Sequence, residues 1–221
     1  MSCFIGLVRA LYSRRLRGLV AVLPSDITGE TGGTMPDKGV QTIRDLIFYQ
    51  YAKIIARRAF ASENGKEAKR RHYGFIKKTF NELRTGVKSW SDITREDWQL
   101  VESERECIYC GATTELHREH IVPKSLRIKP ECASCDAIQS IHNQVFACAE
   151  CNQSKSTKGL YQFYRYKYPT DPKFYDLIPP LLEKKYLKTI YNCHECAGTL
   201  DTSDPDGDGK ISVADIDFII E

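Results

Sequence analysis

The chain has 221 residues, 42% of them apolar, and a formal net charge of +3 at pH 7. That is enough apolar content for one or two small cores and too much for a wholly disordered chain. The small basic excess singles out no partner by itself, although it is concentrated between Arg57 and Lys88.

Residues 1–34 offer little to bury after Pro24, where the sequence runs Ser-Asp-Ile-Thr-Gly-Glu-Thr-Gly-Gly-Thr. Arg9, Arg14, Arg15 and Arg17 interrupt the apolar runs before it. No signal-peptide core or spanning segment forms there, so the chain reads as soluble and cytoplasmic. The first convincing element follows Met35, which suggests that Met35 is the true start and that 1–34 is a disordered or mis-assigned extension.

Residues 35–104 read as a basic helical region. Ile43, Leu46, Ile47, Tyr51, Ile54 and Ile55 recur at three- and four-residue steps, the mark of one apolar helix face. Asn64-Gly65 reads as a turn. A second helix is expected over Glu67–Leu83, with Ile76, Phe80 and Leu83 inward. Its outer face carries Arg70, Arg71, Lys77 and Lys78 among other bases. These make either a solvated face or a phosphate-contacting one, the latter attractive on the reading that few acids are interspersed. A short third helix is expected after Thr94, whose spacing to Asp97 resembles a capping box, with Trp98 and Val101 inward.

Eight of the nine cysteines form four pairs with a two-residue gap: Cys107/Cys110, Cys132/Cys135, Cys148/Cys151 and Cys193/Cys196. That gap lets two thiolates on one tight turn meet a single tetrahedral ion, so the spacing favours zinc over a disulfide scaffold. Metal-held thiols fit a reducing compartment. Cys107, Cys110, Cys148 and Cys151 are expected to hold one structural zinc. With four cysteine ligands it keeps no open position for water. Cys132, Cys135, Cys193 and Cys196 would form a second zinc site that folds a C-terminal helix (about Pro179 to Tyr191) back over the core. His194 is a substitute ligand, and separate reduced thiols are the alternative.

Between the outer pairs lie Glu115-Leu-His-Arg-Glu119-His120-Ile-Val-Pro123, then Asn143, then Cys148-Ala-Glu-Cys151-Asn152-Gln-Ser-Lys155. Short strands are expected over Glu115–Val122 and Val145–Ala147, a short helix over Asp136–His142, and a helix from Ala149 to Lys155. This order, with Glu-His-Ile-x-Pro, an intervening Asn and a CxxCNxxK ending, resembles the HNH endonucleases, whose core is a ββα-metal unit. The resemblance covers about fifty residues. It implies an α+β fold: a mostly helical chain with a small ββα core stapled by zinc, within a nuclease domain over 105–200.

It also implies a metal-dependent endonuclease acting on DNA. His120 would be the general base, since a neutral imidazole can take a proton from water near pH 7. Glu119 and Asn152 match the family's ligand positions for a catalytic magnesium or manganese ion. Asn143 matches the middle Asn that braces the loop, and Lys155 would contact phosphate. His117 is a rival base. A non-catalytic zinc module that grips nucleic acid is the alternative function.

Leu160–Tyr168 interleaves aromatics and bases, as single-strand binders do, but an amphipathic packing helix is favoured. Finally, 201–221 contains Asp204, Asp206, Asp208, Gly209, Lys210 and Asp215 at the spacing of a calcium loop. It resembles the dockerin variant of the EF-hand loop, with an exiting helix expected over Val213–Ile220. A calcium-dependent interaction protein is the reading that this tail alone would support.

Overall fold

Helix α1 (Ile43–Ala59) is wrapped on nearly every side, burying Phe48, Tyr49, Gln50 and Ala52 as well as the expected Ile43, Leu46, Ile47, Tyr51 and Ile54. The one-face reading therefore understated it. Its neighbours explain the difference: α2 (Lys66–Arg84) packs along it, α6 (Pro180–Ala197) along another side, and the C-terminal segment near a third. Thr42 caps its start, accepting the Asp45 amide at 3.2 Å. The Ile43 and Arg44 amides, left over at a helix start, donate to the carbonyls of Thr202 and Leu200 at 2.9 and 2.8 Å.

The computed structural model describes residues 38–63, 65–89, 105–126 and 136–219. These all fall within one compact unit, 32–221. The calls on 1–34, Asn64, Thr94, Trp98, Val101, Cys132 and Cys135 lie outside the described residues. Among the described residues, no helix is long and apolar enough to cross a membrane.

The ββα unit sits in the middle of the chain. Strand β1 (Leu116–His120) pairs antiparallel with β2 (Gln144–Cys148), in a register that sets Leu116 against Cys148 and His120 against Gln144. A one-turn helix, α3 (Asp136–Gln139), and a 3-10 turn (Ile141–Asn143) precede β2. Ser140 divides them by capping the second, where the sequence suggested one continuous helix. Helix α4 (Ala149–Lys155) follows β2 directly and packs on both strands.

Helix α5 (Leu160–Lys167) buries Leu160, Tyr161, Phe163 and Tyr164, so packing accounts for most of its aromatics. Its Lys167 ammonium donates to the Tyr109 carbonyl at 2.9 Å, and Phe163 stacks edge-on against Tyr109 at 5.1 Å. The first cysteine turn is thereby held against α5. Helix α6 starts with Pro180 at its first turn, where a missing N–H costs nothing, and ends at Gly198 with φ 73°. It is longer than expected and includes both Cys193 and Cys196.

α6 also anchors a buried polar cluster. Glu183, fully buried, accepts from Arg57 Nη2 at 2.6 Å and from the Tyr161 hydroxyl at 3.0 Å. Burial pushes the Glu183 carboxyl up, against the pull of Arg57. After α6 the chain turns back, and the segment expected as an exiting α-helix is a 3-10 turn, Val213–Asp217.

Candidate active site

The first cysteine turn is a tight one. The Gly111 and Cys110 amides both donate to the Cys107 carbonyl, at 2.7 and 3.3 Å, and Gly111 sits at φ 76°, where a side chain would be strained. The Ile108 amide donates to the Phe146 carbonyl at 2.9 Å, which pins this turn to β2. The second pair comes off the end of β2. Cys148 is the N-cap of α4, and its sulfur accepts from the Cys151 amide at 3.5 Å.

The four Sγ atoms of Cys107, Cys110, Cys148 and Cys151 all lie within 4.8 Å of one another. A zinc–sulfur distance of about 2.3 Å makes the edge of a tetrahedron about 3.8 Å. Cys110 and Cys148 are 3.7 Å apart, so the donor set fits zinc. Burial pushes the Cys110 and Cys151 thiols up. Burial also raises Cys148, but the Cys151 amide and the neighbouring sulfurs outweigh it, and its net shift is down. Four thiolates packed this closely need a cation at their centre.

His120 ends β1 and is half-buried. Burial first, then Lys124, lowers its pKa from the ordinary value, against the opposing pull of Glu119. Its ring is therefore neutral near pH 7. Across the ladder, Gln144 brings its amide nitrogen to 3.5 Å from His120 Nε2, while Arg118 Nη1 donates to Gln144 Oε1 at 3.2 Å. Arg118 thus turns the amide so that its NH₂ end faces the imidazole.

Asn143 is fully buried, and every polar arm of its side chain is used. Its Oδ1 accepts from the Val122 amide at 2.8 Å, and its Nδ2 donates to the carbonyls of Val122 at 2.9 Å and Ile138 at 2.8 Å. The segment just after His120 is braced in this way against the turn before β2.

Lys155 corrects the sequence reading. It is fully buried, and its ammonium donates to Glu119 Oε1 at 2.9 Å and to the His120 carbonyl at 3.0 Å. It is not placed to meet phosphate at the surface. The signal was in the spacing: Cys151 must face inward to reach the other sulfurs, and 155 is one helical turn on, along the same face. Burial lowers the Lys155 pKa, and Glu119 opposes that shift.

Among the described residues, the two groups of three or more His, Cys, Asp or Glu side chains placed to share an ion are the cysteine cluster and Asp204/Asp206/Asp208. A catalytic ion beside His120 would therefore have few protein ligands, Glu119 through Oε2 and the half-buried Asn152. That donor set suits magnesium, which keeps most of its water and is bound by one or two protein oxygens plus phosphate.

Residues 107–158 match the family model described as HNH endonuclease. The matched segment begins at Cys107 and ends just past α4, so it coincides with the ββα unit and its four-cysteine cluster. It supports a nuclease-type or nucleic-acid-binding function. The chain matches none of the curated proteins and none of the solved structures with which it was compared.

Other expected site residues are placed as follows. His117 is exposed on β1, opposite Ala147. Arg70, Arg71, Lys77 and Lys78 are exposed on α2. Arg70 pairs with Glu67 at 3.1 Å, Arg71 with Glu63 at 2.7 Å, and Lys78 with Glu82 at 3.8 Å. Acids are therefore interspersed after all.

Cys193 is buried and Cys196 half-buried in the last turns of α6. Cys196 is a disulfide cysteine, a state in which its sulfur is no metal thiolate. His194 is not a substitute ligand. Its Nε2 donates to the Ile216 carbonyl at 2.9 Å, and its Nδ1 meets the Thr199 hydroxyl at 2.8 Å, so both ring nitrogens are engaged.

Proposed function

We propose that this chain is a metal-dependent HNH endonuclease that hydrolyses phosphodiester bonds in DNA. The observation that carries the reading is a half-buried imidazole, His120, at the strand end of a ββα unit that holds a four-cysteine cluster and matches the HNH family model.

In this reading neutral His120 takes a proton from a water molecule as its oxygen attacks phosphorus. A new phosphorus–oxygen bond forms and the bond to the leaving sugar oxygen breaks. Gln144, held by Arg118, orients the ring. Lys155 fixes the carbonyl of His120 and one oxygen of Glu119 in a single bond network. Asn143 keeps the chain after His120 from drifting. Glu119 and Asn152 would hold a magnesium or manganese ion, which would supply positive charge to offset that of the phosphate. Arg70, Arg71, Lys77 and Lys78 are the surface bases assigned to phosphate contact, and they position DNA without reading its sequence. Supercoiled plasmid incubated with magnesium tests the reading. Nicking should occur, should stop with chelator, and should be lost in His120→Ala at unchanged zinc content.

One observation favours the second reading, a non-catalytic zinc-dependent nucleic-acid-binding module. The Lys155 ammonium already neutralises Glu119 through Oε1, the carboxylate that a divalent ion would need as a ligand. A chain that binds DNA yet cuts with neither magnesium nor manganese would establish that reading instead.

A further inference from the structure

We propose that the Gln144 amide is a tautomer switch on His120: Arg118 holds it in the orientation that idles the base, and a DNA phosphate that binds Arg118 releases it. The inference rests on the reading of His120 as the general base and adds what readies that base for substrate.

The strand pairing sets the switch. Opposite residues of an antiparallel pair share a face, so Arg118, His120, Gln144 and Phe146 lie on one side of the hairpin. Glu119, Val145 and Ala147 lie on the other side and are buried. The first side meets solvent: Arg118 is exposed, and His120, Gln144 and Phe146 are half-buried.

Donor and acceptor chemistry then fixes each group in turn. A guanidinium only donates, so the atom 3.2 Å from Arg118 Nη1 must be the Gln144 oxygen. The other end of the amide, its NH₂, also only donates. It lies 3.5 Å from His120 Nε2, which must therefore carry the lone pair. A neutral imidazole has one lone pair and one N–H, so the ring proton is on Nδ1. Nδ1 has no hydrogen-bond partner among the described residues and is the nitrogen left for water. In this state it donates where a base must accept. The free chain holds His120 in the idle tautomer.

Arg118 is the part of the switch that DNA can reach. It is exposed and in no ion pair among the described residues, whereas Arg70, Arg71 and Lys78 on α2 each pair with an acid. Two residues apart on one strand, Arg118 and His120 have Cα atoms about 7 Å apart, so a phosphate beside the base is within reach of the guanidinium. Arg105 lies over the Phe146 ring at 5.3 Å and adds a second positive charge to this side. A charged phosphate is a stronger acceptor than an amide oxygen, and it takes Arg118 from Gln144.

Once released, the amide turns over and offers Oε1 to Nε2. The ring gives up its proton from Nδ1 to water and takes one from water at Nε2, with no change of charge. The lone pair now stands on Nδ1. When Nδ1 accepts the proton of the attacking water, the Nε2–H of the imidazolium donates to Oε1, a charge-assisted bond. An unturned amide would set N–H against N–H.

The test is two-bond hydrogen–nitrogen NMR of the full zinc-loaded chain with isotope-labelled histidine, at a pH where imidazole is neutral. His120→Ala identifies the His120 signals. The free chain should show Nδ1–H. A saturating DNA duplex, added without magnesium so that nothing is cut, should change it to Nε2–H. Gln144→Glu, whose carboxylate only accepts, should show Nε2–H with or without DNA. In plasmid nicking, Arg118→Met should raise KM by about 10-fold and leave kcat unchanged, because the amide no longer needs release. Nε2–H in the free parent, Nδ1–H in the DNA-bound parent, or a lowered kcat at unchanged KM in Arg118→Met would overturn the switch. A parent that nicks plasmid without changing tautomer would sink the switch alone and leave the nuclease reading standing.

Discussion

Replacing Lys155 by methionine should cost stability before it costs DNA affinity. The side chain is fully buried, and its ammonium lies 2.9 Å from Glu119 Oε1, where the Coulomb attraction is about 6 kcal/mol at an effective dielectric near 20. Much of that attraction only offsets the desolvation of the two groups. Removing one partner of such a pair leaves the other charge uncompensated, and costs about 3–5 kcal/mol. Methionine fills the space of the lysine stem, so the loss is electrostatic and not a cavity. For a chain of this length the Tm of Lys155→Met should fall by about 10 °C. Adding Glu119→Gln removes the stranded carboxylate and should recover most of the loss, a double-mutant cycle read by calorimetry at constant zinc content. If Lys155→Met melts within a degree of the parent, and instead weakens DNA binding and lowers its salt slope by about one, Lys155 is a phosphate contact and the burial argument is wrong.

Other outcomes follow from the same contacts. Asn143→Leu strands the Val122 amide and two carbonyls in a buried setting, and should cost about 3 kcal/mol in a denaturant melt while zinc is retained. Arg57→Met removes the charge that holds the Glu183 carboxylate. A buried carboxyl whose folded pKa lies above its unfolded value contributes stability below the unfolded pKa and loses it as pH rises through the folded one. The variant should therefore melt higher near pH 5 than near pH 8, and more steeply so than the parent. Metal analysis of the zinc-loaded chain should find one zinc ion, held by Cys107, Cys110, Cys148 and Cys151, since Cys196 is in a disulfide; two zinc ions per chain would show instead that Cys132, Cys135, Cys193 and Cys196 hold a second.

The four-cysteine unit was legible because the chemistry of a metal site fixes its spacing. Cysteines two residues apart demand a turn, Cys148 caps the helix it precedes, and α4 runs from Ala149 to Lys155 as read. Asn143 was singled out by its place in the family pattern, and its bonds to Val122 and Ile138 could not be read from the sequence. What stayed hidden depends on residues far apart in the chain. Lys155 looked like a surface base until Glu119, 36 residues earlier, was seen beside it. His194 looked like a ligand beside two cysteines, but its partner is a carbonyl 22 residues on. Helix α1 showed one apolar face by periodicity, yet packing on further sides buries Phe48, Tyr49 and Gln50 too. The exit from the Asp204 loop was misread because the capping box of Ser212 and Asp215 closes a single 3-10 turn, and Asp217 then commits its carboxylate to α5 and α6.

The most direct test of the account is plasmid nicking by the zinc-loaded protein in magnesium, parent against His120→Ala, with zinc measured on both. The account predicts nicking by the parent, none with chelator, and none by His120→Ala at equal zinc. Undiminished nicking by His120→Ala would contradict it.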